Sequence, residues 1–479
     1  MNPHRILPED RFSTLRLGDA RVHTVRHRPV INPAHGTVFA SVPRADPEHL
    51  ERAVTAARDA FLGWRALSWA ERQTRIEALA DRMARARDEL ADLMTLEQGK
   101  PRHSAAIGEV DYAVGWLRGI AGQRLSGRIL EDAPHHHVEQ SYAPLGVVGL
   151  IVPWNFPLCL AVWKLAPALM TGNSVILKPS PYTPLTALRL AELAEDILPP
   201  GVLSVLTGDD ALGQWMVDHP GIAKISFTGS AATGRKVMAG AAAHLKRVTL
   251  ELGGNDPAIV LPDADLDACV PQLFWGAFGN SGQWCVGIKR LYVHDDIYPQ
   301  LLDALVTYAR SVPMGDGMEP ANLLGPLQNA RQYAKVLDIL DDCPRRGLRF
   351  AHGGKRLLDQ AGYFVPVTLV DNPPDASRVV VEEAFGPVLP VLRYRDFDDV
   401  VRRANDTEYG LGASIWGRDT AFAQTLADRL EAGTVWINEV YVHGVDFPFG
   451  GHKLSGLGVE HGAEGLAAYV NLKIRMTAR

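Results

Sequence analysis

The chain has 479 residues, 47% of them hydrophobic and 22% charged, with a formal net charge of −6. This is an ordinary globular composition, long enough for two or three domains and a large core. It holds no basic patch suited to nucleic acid and no acidic tail. Residues 1–10 are polar and lack the apolar core of a signal peptide. The most apolar run, 145–153, is far too short to span a bilayer. The four cysteines, Cys159, Cys269, Cys285 and Cys343, show neither CxxC nor His-rich zinc spacing. That pattern indicates no disulfide framework and no metal site, and a reduced cytoplasm is the expected compartment.

Residues 1–29 carry little signal. Residues 31–42 read as two extended segments broken at His35-Gly36, and a helix follows with Leu50, Ala53, Val54, Ala57, Ala60, Phe61 and Trp64 on one face. Ser68 and Glu71 form a capping-box pattern that opens a helix expected to run through Ile76, Leu79, Met83, Leu90 and Leu93. Residues 125–143 read as a projecting strand pair carrying His135-His136-His137. Adjacent strand positions alternate faces, so these histidines converge poorly on one metal ion and read as a solvated or subunit-facing strand.

From Val147 strands alternate with helices. Buried-strand runs are expected at 147–152, 174–178, 202–207, 224–227 and 247–252, with a helix from about 185 to 197. A second α/β region spans about 255–455, with strands at 291–294, 388–394, 414–416 and 434–438. Such alternation implies parallel sheets with ligands at the strand ends. No flexible linker separates the halves, and Gly253-Gly254 marks the boundary.

Three stretches carry chemistry. In Asn280-Ser281-Gly282-Gln283-Trp284-Cys285 a cysteine follows small and polar residues, with Gly287 just after it, as though the backbone bends to present one thiol. The others are Glu251-Leu252-Gly253-Gly254 and Pro153-Trp154-Asn155-Phe156-Pro157. A thiol, a carboxylate and an amide can attack a carbonyl, activate a water and hold an oxyanion.

Together and in this order they resemble the aldehyde dehydrogenase superfamily, from about Ile31-Asn32-Pro33 to the end of the chain. The resemblance implies two doubly wound α/β domains and a small β arm. Residues 1–124 and 144–253 would form a Rossmann-like cofactor domain and 254–455 a catalytic domain. Residues 125–143 and 456–479 would form an oligomerisation arm of a homodimer or homotetramer. It further implies oxidation of an aldehyde to the acid, with the active site in the cleft between the domains. Cys285 would be the nucleophile, the Asn155 amide and the Cys285 backbone N–H would hold the oxyanion, and Glu251 would activate the hydrolytic water. The alternative within the resemblance is a coenzyme A-acylating or phosphorylating semialdehyde dehydrogenase, and acylating relatives typically lack this glutamate. A non-catalytic structural protein on the same fold would be expected to lose the thiol or the base. Lys164 and Glu460 match a proposed proton exit route, although Val459 stands where an arginine is usual.

There is no GxGxxG after a strand. The variant turn Gly229-Ser230-Ala231-Ala232-Thr233-Gly234 lies where a strand becomes a helix, whose N-terminus favours a diphosphate. By resemblance Ile151, Pro153, Trp154, Phe227, Leu252 and Gly253 line the cofactor cleft, while Glu383 and Phe385 hold the nicotinamide end. Lys178 and Ser180 match the adenosine ribose site. Pro181 stands where NAD-preferring members often carry a glutamate, which removes a carboxylate that would repel a 2′-phosphate. No arginine lies in this turn, so NAD is the first choice and NADP is admitted. The implied substrate tunnel comprises Phe156, Leu160, Trp163, Trp284, His443 and Phe449, with Gly279 expected to widen it. Lacking an arginine, it suits aromatic or medium apolar aldehydes over dicarboxylic semialdehydes.

Overall fold

Strands buried at every position arise where helices cover both faces of a sheet, and five of the described strands are buried throughout. The computed structural model describes residues 11–355 and 361–479, so the reading of residues 1–10 lies outside the described residues. The first sheet has six strands in the order Gly456–Leu457, Arg247–Glu251, Lys224–Thr228, Val147–Ile151, Ser174–Lys178, Leu203–Val205. All pairs are parallel except the one made by Gly456–Leu457. The chain winds outward in both directions from Val147–Ile151, so the crevice where winding reverses opens between the ends of that strand and Lys224–Thr228.

The second sheet has seven strands in the order Arg349–His352, Thr368–Asp371, Val388–Tyr394, Ile288–His294, Asp256–Val260, Gly412–Trp416, Thr434–Ile437. Only Arg349–His352 runs antiparallel to its neighbour. Four residues separate the end of Arg247–Glu251 from the start of Asp256–Val260. The carboxyl edge of the first sheet therefore leads directly to the amino edge of the second. Glu251 closes a strand on one side of that junction, and Cys285 precedes a strand on the other.

A third, three-stranded antiparallel sheet joins Val470–Ala478, His136–Pro144 and Arg128–Ala133. The expectation assigned all of 456–479 to this arm, and the structure divides that stretch. Gly456–Leu457 pairs with Arg247–Glu251, closing an edge that would otherwise expose backbone donors and acceptors. The helix Gly462–Ala467 packs on Pro157–Met170, and only Val470–Ala478 reaches the arm. His136 and His137 pair with Glu131 at 3.1 Å and Asp132 at 3.0 Å. No group of described residues is placed to hold a metal ion, and no described helix is long and apolar enough to cross a membrane.

The Ser68 box forms as read: its Oγ accepts from the Glu71 N–H at 3.2 Å, and Glu71 Oε2 accepts from the Ser68 N–H at 2.7 Å. The helix it opens, Trp69–Arg85, stops at Ala86 (φ −93, ψ 14), and Arg87–Gln98 carries Leu90 and Leu93. Arg82 and Arg85 end the first helix and Asp88 and Glu89 begin the second, each charge on the side the helix dipole favours. A continuous apolar stripe hid that break. The helix Pro157–Met170 is buried at every position, so it shows no amphipathic period to read.

Candidate active site

The cysteine loop is built on strain. Asn280, Ser281 and Gly282 follow one another in the left-handed region, with φ of 50, 56 and 73. Non-glycine residues persist there only when their surroundings hold them. Ser281 Oγ donates to the Gly325 carbonyl at 2.7 Å, Gln283 Nε2 donates to the Asn280 carbonyl at 2.9 Å, and Gln283 Oε1 accepts from the Gln328 N–H at 2.8 Å. A Cβ at Gly282 would overlap the Gly386 carbonyl. Beyond the loop, Lys289 Nζ donates to the carbonyls of Trp284 (2.7 Å), Cys285 (3.0 Å) and Gly287 (3.1 Å). Burial pushes the Cys285 thiol up to about 12, with Lys289 opposing and Asp256, Glu251 and Glu383 adding to the rise. The resting group is a neutral thiol that needs a base to react.

Asn155 is buried beside this loop, and its Nδ2 donates to the Gln283 carbonyl at 3.1 Å. Its own carbonyl accepts from Lys100 Nζ at 2.9 Å and Asn280 Nδ2 at 3.1 Å. Lys100 is paired with Glu109, whose Oε1 accepts the Leu158 and Cys159 N–H groups at 3.0 Å each. A buried ion pair thus ties Asn155 to the start of the helix Pro157–Met170. One N–H of the Asn155 amide stays available for an oxyanion.

Glu251 is 4% exposed, and neither carboxylate oxygen has a hydrogen-bond partner among the described residues. Burial drives its carboxyl well above the ordinary range, Glu460 drives it further, and Lys164 opposes. Lys164 and Glu460 form a buried ion pair, and Ser226 Oγ donates to Glu460 at 3.3 Å. The structure therefore brings together Cys285, Asn155 and Glu251, with Lys164 and Glu460 beneath them.

The residues expected to hold the nucleotide lie along the carboxyl ends of the first sheet. Ile151 ends its central strand, followed by Pro153 and Trp154, and Trp154 meets Phe385 edge to face at 5.4 Å. Phe385 has φ 52, in the segment that sets Glu383 Oε1 to accept the Gly254 N–H at 3.1 Å. A Cβ at Gly253 would lie 2.5 Å from Glu383 Oε2, one at Gly229 2.5 Å from the Phe227 ring, and one at Gly234 2.6 Å from Leu252. These bare glycines let the backbone lie close to the cleft and the helix close to the sheet. Ser230 caps Ala231–Ala242, accepting the Thr233 N–H at 3.3 Å. Lys178 is 3% exposed, its Nζ makes one long contact, 3.5 Å to the Pro179 carbonyl, and Ser180 is buried beside it. A buried ammonium with unfilled donors, a helix N-terminus and two glycine-lined approaches fit a dinucleotide.

The residues expected to line a substrate tunnel pack together, most of them as rings. Phe156 meets Trp284 at 4.7 Å, and Leu160 lies one turn further along the same helix. Trp163 touches His443 (5.7 Å) and Phe449 (5.9 Å). Gly279 does not open the tunnel as expected: the Trp284 ring takes that space, 3.3 Å from where a Cβ would stand. Trp284 is held there by Tyr441, stacked at 3.7 Å. Sequence reasoning missed Tyr441, Lys289, Trp116 and His461, and it missed Arg28. His461 follows Glu460, packs on Trp163 at 4.3 Å and lacks a partner for either ring nitrogen among the described residues. Arg28 supplies the arginine absent from the Lys178 turn, its Nε donating to the Pro181 carbonyl at 3.2 Å across 153 residues of sequence. Only Lys289 offered a signal, as one of two adjacent cations, with Arg290, heading a buried strand.

Twin parallel sheets meeting over a glycine-bounded cysteine define an oxidoreductase of the kind that oxidises aldehyde groups. Residues 21–474 match the profile of the Aldehyde dehydrogenase family, and the chain belongs to that family. It is 42% identical over 463 residues to a probable aldehyde dehydrogenase of a Pseudomonas species, covering 96% of this chain and 93% of that one. An NAD+ complex of a Bacillus cereus aldehyde dehydrogenase superposes with TM-score 0.95 at 37% identity, covering 98% and 97% of the two chains. An Escherichia coli NADP-dependent enzyme also gives TM-score 0.95 at 37% identity, with 98% of each chain covered.

Proposed function

We propose that the protein oxidises an aromatic or medium apolar aldehyde to the free acid with NAD or NADP, through a thioester on Cys285 hydrolysed by water that Glu251 activates. The observation that carries this reading is Glu251 itself. A buried carboxyl without a partner destabilises the fold, and a water-activating base explains why one is held at the cleft facing the thiol.

Cys285 Sγ attacks the aldehyde carbon as the thiolate, its proton having passed to solvent water. The second Asn155 N–H and the Cys285 backbone N–H receive the oxyanion, and losing one such donor costs about 3 kcal/mol of barrier. The bound dinucleotide supplies the hydride acceptor as the carbonyl re-forms. Phe385 against Trp154 and Glu383 on Gly254 keep that end of the cleft shaped. Glu251, in its ionised form, then takes a proton from the water that attacks the thioester and passes it to the Glu460 carboxylate, which pairs with Lys164. Burial holds the His443 imidazole down to about 4, so it enters the tunnel as a neutral ring. With Phe156, Trp163, Trp284 and Phe449 it favours an apolar or aromatic tail. Among the described residues Lys100 Nζ lies 3.9 Å from the Phe156 centroid, but its charge is paired with Glu109 and does not serve a distal carboxylate. Four free cysteines suit a reduced cytoplasm, and the arm is suited to a homodimer or homotetramer.

Turnover measured across an aldehyde panel with each cofactor tests the substrate reading, with aromatic and medium-chain aldehydes expected to outrank succinic semialdehyde. Cys285→Ala is expected to abolish oxidation while NADH still binds. Near wild-type turnover in that variant overturns the nucleophile assignment.

A further inference from the structure

The edge of the first sheet steps from Glu251 past Thr228 and Ile151 to Lys178, three strand spacings or about 14 Å. A dinucleotide with its reactive ring at the Cys285 end would carry its adenosine to the Lys178 end. There a cluster of fixed charge awaits it. Arg28, in the strand His27–Asn32, donates Nε to the Pro181 carbonyl, pairs through Nη1 with Asp209, and lies over the Tyr182 ring at 5.7 Å. Asp209 is paired again, with Arg44 Nε at 2.9 Å. Three cations, Lys178, Arg28 and Arg44, thus stand against Asp209 and the exposed Asp210. Arg28 keeps about a third of its side chain in solvent.

We propose that Arg28 is the residue that admits the 2′-phosphate of NADP. This rests on the reading of the Lys178 turn as the adenosine-ribose end. Pro181 offers no side-chain acceptor to the ribose hydroxyls and no charge to repel a phosphate. Its backbone carbonyl instead anchors a guanidinium whose remaining N–H groups form a fork suited to phosphate oxygens. Asp209 holds that fork in place, and its charge is shared between two arginines, so it repels an incoming dianion less than a lone carboxylate would. Phosphate also meets the buried Lys178 ammonium from the sheet side. Two cations that arrive from segments 150 residues apart flank one position.

The test is direct binding by calorimetry of NADH, NADPH and adenosine 2′,5′-bisphosphate to the intact protein. Arg28→Gln is expected to weaken NADPH and the bisphosphate about tenfold or more while NADH stays within twofold. Arg28→Lys should recover part of the loss, and Pro181→Glu should weaken NADPH and spare NADH. Equal weakening of NADH and NADPH in Arg28→Gln would show that the arginine only braces the turn, and the proposal falls. So does a wild-type protein that fails to bind the bisphosphate at millimolar concentration. If Lys178→Met leaves both nucleotides bound as before, the adenosine end lies elsewhere, and the reading beneath the proposal fails instead.

Discussion

Two buried glutamates, Glu109 and Glu251, sit on either side of the cysteine loop, and they are treated in opposite ways. Glu109 receives two backbone N–H groups at a helix start and the Lys100 ammonium, so its charge is fully met. Glu251 receives nothing, and both its surroundings and the nearby Glu460 disfavour its charge. Burial alone therefore does not mark a catalytic group. A buried carboxyl without partners is a candidate for such a role, because a satisfied carboxylate has no lone pair ready for a proton. Glu109 belongs to the frame that holds Asn155, and Glu251 is the carboxylate proposed to act in the reaction.

Removing Glu109 should produce the larger effect on folding. Glu109→Ala leaves Lys100 buried and charged with no carboxylate, and loss of one partner of such a pair costs about 3–5 kcal/mol. Chemical denaturation should show that fall, with activity dropping as Asn155 loses its support. A stable, fully active Glu109→Ala would erase the contrast.

Glu251→Gln should act on rate. Hydrolysis of the thioester is expected to slow about 10²–10⁴-fold, the usual range for losing a general base. Rapid mixing should then show one burst of reduced cofactor followed by slow turnover. Equal slowing of the burst would place Glu251 before hydride transfer.

The same variant should change stability with the opposite sign. A carboxyl whose folded pKa is raised keeps its proton in the native state while the unfolded chain loses it. Stability from this group therefore falls as pH rises from about 4.5 toward the folded value. Glu251→Gln is expected to raise the melting temperature by about 1–3 °C at pH 8 and by less at pH 5. A uniform shift at both pH values would mean that Glu251 is not held neutral.

Lys178 gives the smallest effect, and it sharpens the comparison with a cation. Burial brings its ammonium down to about 8, against the pull of Asp210 and Asp209. Near pH 8.5 part of the population is neutral, and binding an anion restores the charge. NADPH binding should take up a fraction of a proton there and almost none at pH 6.5. Calorimetry in buffers of different ionisation enthalpy measures that uptake, and a value independent of pH would count against Lys178 facing the phosphate.

Much of the fold was legible because its signals are local. The capping box at Ser68, the uniformly apolar strands and the glycine-bounded cysteine each rest on residues within a few positions of one another. The break at Ala86 escaped because an apolar stripe continues through it, and the wholly buried helix Pro157–Met170 escaped because burial on all sides erases periodicity. By itself the sequence determined the twin α/β plan, the family, and the thiol, amide and carboxylate that meet at the cleft. Tertiary structure decided which charges are met. Glu109 and Glu251 read alike as isolated letters, and only folding gives one three donors and the other none. Likewise, only folding brings Arg28 to Pro181 and Trp284 into the room beside Gly279. Such pairings join residues far apart in the chain, where no local propensity acts, and the burial that shifts a pKa exists only once the core has closed.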